Sequence, residues 1–141
     1  MRYLLLSLLS LLPAALHAES ATFGEYTVYY QAVNSTFINA DIAEQYGIVR
    51  SDRRAFLNIS VSKKIGSVMT ALTAAVSGGK RNLLGQVGDI EFREIREENA
   101  IYYIGEFEYS NAEIVRFTID VQPEMSGQSH EIRWETRMYN E

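Results

Sequence analysis

Alternation of apolar and polar residues is the main pattern of this chain from residue 19 to its end. A period of two is typical of β-strands that bury one face and expose the other. Seven segments show it: "EYTVYYQAV", "RAFLNISVSK", "SVMTALTAAVS", "DIEFREI", "AIYYIGEFEY", "EIVRFTIDV" and "HEIRWETRMY". In the last segment, Ile132, Trp134 and Met138 share one face. The opposite face carries the charged residues Glu131, Arg133, Glu135 and Arg137.

Short turn signals separate these segments, and that spacing favours two packed sheets. We therefore predict an all-β fold, an immunoglobulin-like antiparallel β-sandwich of about seven strands. One segment departs from the pattern: "DIAEQYG" predicts one short helix between the first two strands. Asp41 is placed to cap this helix and Gly47 to end it.

Three local expectations complete the predicted topology. Gly78-Gly79 should end the third strand, because glycine interrupts strand patterns. The segment "AIYYIGEFEY" should pair with "EIVRFTIDV" across the short turn Ser110-Asn111. Residues 123–127 should form the turn into the last strand.

The N-terminus has the features of a secretory signal peptide. Arg2 supplies one positive charge, and "YLLLSLLSLLPAAL" supplies a leucine-rich core that is too short to span a bilayer. A single arginine favours the general secretory route over the twin-arginine route. We predict a signal peptide over residues 1–18, cleavage after Ala18 and a periplasmic location. The alternative is an uncleaved segment that acts as an anchor.

Residues 19–141 are predicted to form a single domain. They contain no linker, repeat or low-complexity tract, and no cysteine, so the core rather than disulfides must hold the fold. No further apolar run reaches about 18 residues, so no stable membrane span is expected after signal cleavage. The net charge of the whole chain is −5. An acidic exported domain does not suit nucleic acid as a partner.

The order of several motifs is similar to that of a known family. "NSTF" follows an aromatic strand, and "YGIVRS", "NISV", "AAVSG", "NLLGQ", "EFREIRE" and "AIYYIGEFEYSNAEIVRFTIDVQP" come after it. In this order the chain resembles the exported bacterial family called domain of unknown function 4426. The resemblance covers essentially all of residues 19–141. It implies a small periplasmic β-rich domain behind a signal peptide, and it implies no activity, cofactor or catalytic residue.

Three small polar residues, Asn34, Ser35 and Thr36, interrupt an otherwise apolar stretch. They match the N-x-[ST] glycosylation pattern, but a bacterial host would not ordinarily modify it. They could instead form a polar pocket for a small ligand. The interpretation we favour is a turn in which their side chains satisfy backbone groups where the first strand ends.

Residues for catalysis are scarce. After the predicted cleavage the chain has one histidine, His130, and no cysteine, so a nucleophile–histidine–carboxylate triad has little to draw on. The carboxylates of "DIEFREIREEN" alternate with arginines, as on a solvated strand face. No glycine-rich phosphate loop is present. We predict that the protein is not an enzyme and that it uses no cofactor.

A metal site has only weak support. Zinc normally takes three or four ligands from cysteine, histidine and carboxylates, and no such spacing exists here. Copper could use Met125 and His130 in the turn "PEMSGQSH", joined by Met69 or Met138. Because two soft ligands in one turn are a weak signal, no metal site is assigned.

Charge is distributed unevenly along the chain. Residues 19–81 carry a balance of +2 and residues 82–141 a balance of −8. The basic residues of the first part lie at predicted strand ends. We predict that one basic patch collects five of them, leaving Lys63 and Lys64 isolated at the other end of the second strand. The patch residues are Arg50, Arg53, Arg54, Lys80 and Arg81.

Two functions remain open from the sequence. The first is a non-catalytic periplasmic interaction module that contacts an acidic envelope protein or an anionic surface. The second is a small-ligand or metal-binding carrier that uses either the Asn34–Thr36 region or the Met125/His130 turn.

Overall fold

The computed structural model describes residues 18–124 and 126–141, so the predicted signal segment and Met125 lie outside the described residues. The described chain forms ten strands, one short α-helix and one 3-10 turn. The strands are β1 (Glu19–Phe23), β2 (Tyr26–Asn34), β3 (Arg54–Ile65), β4 (Val68–Leu72), β5 (Ala74–Asn82), β6 (Val87–Ile90), β7 (Phe92–Glu97), β8 (Ala100–Glu108), β9 (Glu113–Pro123) and β10 (His130–Met138). The 3-10 turn is Ser35–Phe37, and helix α1 is Ala40–Tyr46.

All strand pairs are antiparallel, and they form two sheets. The larger sheet has the order β1-β2-β3-β8-β7, and β4 also pairs with the far end of β3. The smaller sheet has the order β10-β9-β5-β6. The predicted all-β, sandwich-like fold with one helix between two long strands is confirmed, and the immunoglobulin-like subtype stays a prediction.

The main core lies between the two sheets. Leu57, Ile59 and Val61 project into it from β3, and Phe117 and Ile119 project from β9; each is at most 1% exposed. This is the face that the period-two pattern of β3 predicts. β-Branched and aromatic residues suit such pleated, buried surfaces, and burying each of these side chains contributes about 1.5–3 kcal/mol.

A second, smaller core lies on the outer face of the larger sheet. Val33, Phe56 and Ile104 project outward there and pack beneath Ala43 of α1 and Ile48. Because the helix covers this part of the sheet, β3 is buried on both faces around Phe56. This explains the unbroken apolar run "AFL" at the start of a strand that otherwise alternates.

Helix α1 has standard end signals, but its cap is not the predicted one. The Asn39 side chain accepts a hydrogen bond from the Ile42 N–H at 2.9 Å, so Asn39 rather than Asp41 is the N-cap. Asp41 lies in the first turn. Gly47 ends the helix in the left-handed conformation, with φ 67°, as predicted.

The predicted pairing of β8 with β9 is wrong. β8 pairs with β3 and β7 in the larger sheet, whereas β9 pairs with β10 and β5 in the smaller one. The turn after Ser110 therefore crosses between sheets, with Ala112 at a positive φ of 63°. The last connection joins β9, which ends at Pro123, to its partner β10, which begins at His130, and the turn predicted over residues 123–127 includes Met125, outside the described residues.

Three strands are added to the seven predicted segments. β1 forms a hairpin with β2, the third segment divides at Thr73 into β4 and β5, and "DIEFREI" divides at Glu91 into β6 and β7. The expectation that Gly78-Gly79 ends a strand is wrong, because β5 continues to Asn82. Glycine is required at Gly78 by a close backbone approach: a Cβ there would lie 2.2 Å from the Thr118 carbonyl oxygen.

Candidate interaction surface

One end of the molecule carries a polar cleft that opens between the two sheets. We call it the end cleft, and it has a volume of about 560 Å³. It is built where β3 and β9 begin and where β5 and β8 end. Its lining residues are Ser51, Arg53, Arg54, Lys80, Asn82, Gln86, Val87, Glu108, Tyr109, Ser110, Glu113 and Val115.

Three predicted patch residues line the end cleft: Arg53, Arg54 and Lys80. Arg54 donates from Nη1 to the Glu108 carboxylate at 3.1 Å, and Lys80 donates from Nζ to the Glu108 backbone carbonyl. The Lys80 ammonium also lies over the Phe107 ring, 5.7 Å from its centroid. Two of the three cations are therefore held in place by β8.

The other two patch residues lie elsewhere. Arg50 donates to the Thr36 carbonyl oxygen at 3.3 Å and does not line the cleft. Arg81 follows Lys80 on the same strand, so its side chain projects to the opposite face of the smaller sheet, beside Arg116. Lys63, predicted to be isolated, pairs with Glu25 at 3.3 Å near the other end of β3.

A group of exposed apolar residues lies at the rim of the end cleft. The hairpin between β5 and β6 exposes Leu83 by 60%, Leu84 by 85% and Val87 by 70%. We call these three residues the apolar tip. Exposed apolar residues that occur singly are common, but these three lie together on one hairpin beside the end cleft.

Asn82 fixes the shape of this hairpin. Its side-chain oxygen accepts hydrogen bonds from the N–H groups of Leu84 and Gln86, each at 3.0 Å. Its amide nitrogen donates to Gln86 at 2.7 Å and to Glu113 of β9 at 3.3 Å. The leucines are thus presented on a hydrogen-bonded turn that is tied to the neighbouring strand.

Sequence reasoning missed the apolar tip. The segment "NLLGQ" contributed only to the family resemblance, and nothing in a period-two pattern shows that a leucine pair lies at a hairpin end. The available signal was Leu83-Leu84 directly before Gly85, because glycine with a positive φ (80° here) marks a tight turn.

The Asn34–Thr36 region connects the end of β2 to distant parts of the chain. Asn34 donates to the Tyr139 carbonyl at 3.0 Å, and Thr36 donates to the Glu141 carbonyl at 2.6 Å. Ser35 donates to the Ser51 carbonyl and accepts from the Ser51 N–H, both at 2.9 Å. All three side chains thus contact backbone groups, as the turn interpretation expects.

Ser35 is the most deeply buried of the three. It is 1% exposed, against 8% for Asn34, and it makes two hydrogen bonds where Asn34 makes one. Tyr109 adds to the same connection, since its hydroxyl lies 2.9 Å from the carbonyl oxygens of both Asp52 and Tyr139. This network forms part of the wall behind the end cleft.

The residues considered for copper lie apart. His130 begins β10, and its ring stacks on Phe23 with the centroids 4.3 Å apart. Met138 ends the same strand, roughly 26 Å away at 3.3 Å per residue, and is buried. Met69 lies in β4 of the other sheet, and Met125 lies outside the described residues. Residues 18–124 and 126–141 contain no group of three His, Cys, Asp or Glu side chains that could hold a metal ion.

Two carboxylates of "DIEFREIREEN" have nearby partners. Glu94 accepts from Arg96 and from the Tyr103 hydroxyl, both at 2.8 Å. The hydrogen bond from Arg96 has the largest effect in lowering the pKa of Glu94, and the bond from Tyr103 lowers it further. Glu97 accepts from the Tyr46 hydroxyl at 2.9 Å, which ties β7 to helix α1. Both carboxylates therefore take part in structural contacts on the larger sheet.

Comparison with known proteins gives a family match and a fold match. The family model described as "Domain of unknown function (DUF4426)" matches residues 20–141. The crystal structure of a DUF4426 family protein from Pseudomonas aeruginosa is 30% identical, with a TM-score of 0.76 over 88% of this chain and 96% of that chain. No curated protein matches the sequence.

Two structures of FetP from uropathogenic Escherichia coli share the fold at 10% identity. The protein as isolated gives a TM-score of 0.65, with 89% of this chain and 96% of that chain covered. A copper-bound variant gives a TM-score of 0.63, with 88% of this chain and 96% of that chain covered.

Among the described residues, no helix is both long enough and apolar enough to cross a membrane.

Proposed function

The chain belongs to the family described as domain of unknown function (DUF4426), and from that premise we propose that it is a non-catalytic interaction module of the periplasm. Its contact surface is the apolar tip together with the cations around it. The observation that carries this proposal is the 85% exposure of Leu84 on a hairpin that Asn82 holds in shape. Burial of an exposed leucine side chain against a partner contributes about 1.5–3 kcal/mol of favourable free energy.

Positive charge beside the tip points to an acidic partner. Arg81 pairs in register with Val87 of the tip, and Arg53 lines the same cleft as Val87. Neither arginine forms an ion pair with another residue of the described chain. Cations without ion-pair partners attract a negatively charged surface and raise the rate of association. The apolar tip then supplies the buried contact that slows dissociation.

The non-catalytic part of the proposal is supported by the composition. Only His130 follows the predicted signal peptide, and no cysteine is present. His130 is stacked on Phe23, and two of the three cations of the end cleft, Arg54 and Lys80, are held by Glu108. The periplasmic part is supported by the leader pattern of residues 1–18.

A binding experiment with matched charge reversals tests the contact surface. Partners are cross-linked in the native envelope and recovered on the wild-type protein, on Arg53→Glu/Arg81→Glu and on Lys64→Glu. We expect the double variant to lose roughly ten-fold or more of the recovered partner at low salt, and less at high salt. Its melting temperature should stay near that of the wild type, because both side chains are at the surface.

Lys64→Glu is the control, because this exposed lysine lies near the far end of β3. It should recover as much partner as the wild type. Equal loss from both variants, or loss from neither, would show that these charges serve only solubility.

The carrier alternative has one finding in its favour, which is that FetP has this fold and was solved in a copper-bound form. At 10% identity that likeness extends to the fold alone. Calorimetric titration of the mature protein with copper separates the two functions. The interaction module predicts no binding heat, whereas saturable heat that disappears in His130→Ala would favour the carrier.

A further inference from the structure

Strand β10 is an open edge of the smaller sheet. Within the described chain it pairs with β9 alone, along all nine of its residues. The other side of an edge strand presents unpaired N–H and C=O groups, which can accept a further strand. An edge of this length exceeds the usual strand of five or six residues, so it is a large surface for strand addition.

The exposed face of β10 alternates strictly in charge. The order is Glu131, Arg133, Glu135, Arg137, and all four side chains are exposed. Side chains directly opposite each other on neighbouring strands interact, favourably for opposite charges and unfavourably for like charges. The charge order therefore determines which strand, and in which register, fits this edge.

A second copy of β10 fits in one antiparallel register. With the two-fold axis at Trp134, Glu131 lies opposite Arg137 of the other copy, and Arg133 lies opposite Glu135. By symmetry each ion pair occurs twice. An interface of this kind is isologous, because the same residues of both copies form it.

Neighbouring registers are unfavourable. A shift of the axis to Arg133 places Arg133 opposite itself and Glu131 opposite Glu135. A shift to Glu135 places Glu135 opposite itself and Arg133 opposite Arg137. An axis between two residues places charged side chains opposite core-facing ones, and an axis at Ile132 or Thr136 leaves two of the four charged residues outside the paired segment.

The same register suits the inner face of the strand. Trp134 is half-buried, with its ring 4.8 Å from Phe117 and 4.6 Å from Tyr30. Pairing about this residue places the two indoles opposite each other, and Ile132 opposite Thr136. The two buried faces then adjoin, and two four-stranded sheets become one sheet of eight strands.

The ion pairs that these residues form within one chain do not prevent pairing with a second copy. Glu135 pairs with Arg116 at 3.0 Å, and Glu131 contacts Arg133 on its own strand. These side chains are between 44% and 74% exposed. Exposed ion pairs contribute little to stability because solvent screens them, so giving them up costs little.

We propose that this protein forms a two-fold dimer through antiparallel pairing of β10 with β10 of a second copy, in the register centred on Trp134. The apolar tip stays free, because β6 lies at the opposite edge of the same sheet. The dimer presents two such tips at opposite ends, so it can hold two partner molecules. The proposal stands independently of the proposed function.

Charge-swap variants measured by sedimentation equilibrium test the register. We expect the wild-type mature protein to be a dimer at micromolar concentration. Arg133→Glu and Glu135→Arg should each raise the dimer Kd roughly ten-fold or more, because each places like charges opposite each other twice. The double variant Arg133→Glu/Glu135→Arg should dimerise like the wild type.

Mixing the two single variants gives a second test that misfolding cannot imitate. One chain then carries glutamate and the other arginine at both positions 133 and 135, so a heterodimer should form. Arg81→Glu, on the same sheet but away from the edge, is the control and should remain dimeric. A monomeric wild type at about 100 µM would overturn the proposal, as would a dimer that all of these variants leave unchanged.

Discussion

At the scale of single residues, Ser35 shows how a small polar side chain joins the end of β2 to the segment before β3. Its hydroxyl makes two hydrogen bonds with the backbone of Ser51 and is excluded from water. A buried backbone group that loses its partner costs about 1–3 kcal/mol. Side chains of this kind act as structural connectors between segments that are distant in sequence.

Ser35→Ala should lower the free energy of unfolding by about 1–3 kcal/mol. Asn34→Ala should lower it by no more than this, because Asn34 is less buried and makes one such bond. Thr36→Val is the control, with an expected loss below about 1 kcal/mol, since its hydrogen bond is exposed. Urea unfolding followed by circular dichroism measures all three; a larger loss in Thr36→Val than in Ser35→Ala would contradict this interpretation.

Residue types at this turn were predictable, but their partners were not. Asn, Ser and Thr at a strand end indicate bonds to backbone groups, and the structure has such bonds. The acceptors on Tyr139 and Glu141 lie more than one hundred residues away, and no local pattern shows such a contact.

A buried tyrosine predicts how stability depends on alkaline pH. Burial raises the pKa of Tyr103 to about 12, and its hydroxyl donates to Glu94 and accepts from the Ala74 N–H. In the unfolded chain a tyrosine ionises near pH 10. The folded state holds this proton more tightly than the unfolded chain does. The contribution of Tyr103 to the free energy of unfolding is therefore fully present below about pH 10 and is lost as the pH rises towards 12.

The unfolding free energy of the wild type should therefore fall between about pH 10 and pH 12, and Tyr103→Phe should show a shallower fall. Denaturant titrations at several pH values measure both slopes. Tyr29→Phe is the control, because Tyr29 is 40% exposed, and it should keep the wild-type slope. Identical slopes for wild type and Tyr103→Phe would show that Tyr103 does not cause this loss of stability.

At the scale of secondary structure elements, β5 depends on the absence of a side chain at Gly78. Its backbone has a φ of 151°, and a Cβ there would lie 2.2 Å from the Thr118 carbonyl oxygen and 2.9 Å from Ile119 Cδ1. Gly78→Ala should destabilise the protein by about 1–3 kcal/mol or more through steric overlap. Gly88→Ala is the matched control on β6, where the nearest atom is Lys80 Cε at 3.7 Å.

Thermal unfolding measures both variants. The Gly78 variant should unfold several degrees lower and the Gly88 variant close to wild type. Equal melting temperatures for the two variants would show that the close approach at Gly78 is not needed for stability.

The period-two pattern predicted which segments form strands, but it did not predict which strands pair with each other. Both β8 and β9 alternate correctly, but alternation does not specify the sheet to which a strand belongs. Their connection crosses between the sheets, because β8 fills the place beside β3 and β9 the place between β5 and β10. The helix was predictable from its local end signals, but its packing over Phe56 was not.

At the scale of the whole molecule, the positions of the basic residues at strand ends indicated which of them lie close together. Arg53, Arg54 and Lys80 meet in the end cleft, because β3 begins and β5 ends at the same end of the sandwich. Side-chain alternation separates Arg81 from Lys80, and a backbone contact holds Arg50 elsewhere. The apolar tip beside this cleft depends on which leucines the fold leaves exposed, and only the folded structure shows that.

The contact surface can be tested most directly by photo-crosslinking in living cells. A photoreactive amino acid replaces Leu84 at the apolar tip or, as the matched control, Val68 on the hairpin at the other end, which is 62% exposed. We expect a discrete protein adduct from position 84 that weakens in Arg53→Glu/Arg81→Glu, and no such adduct from position 68. Absence of an adduct at 84, or the same adduct from both positions, would contradict it.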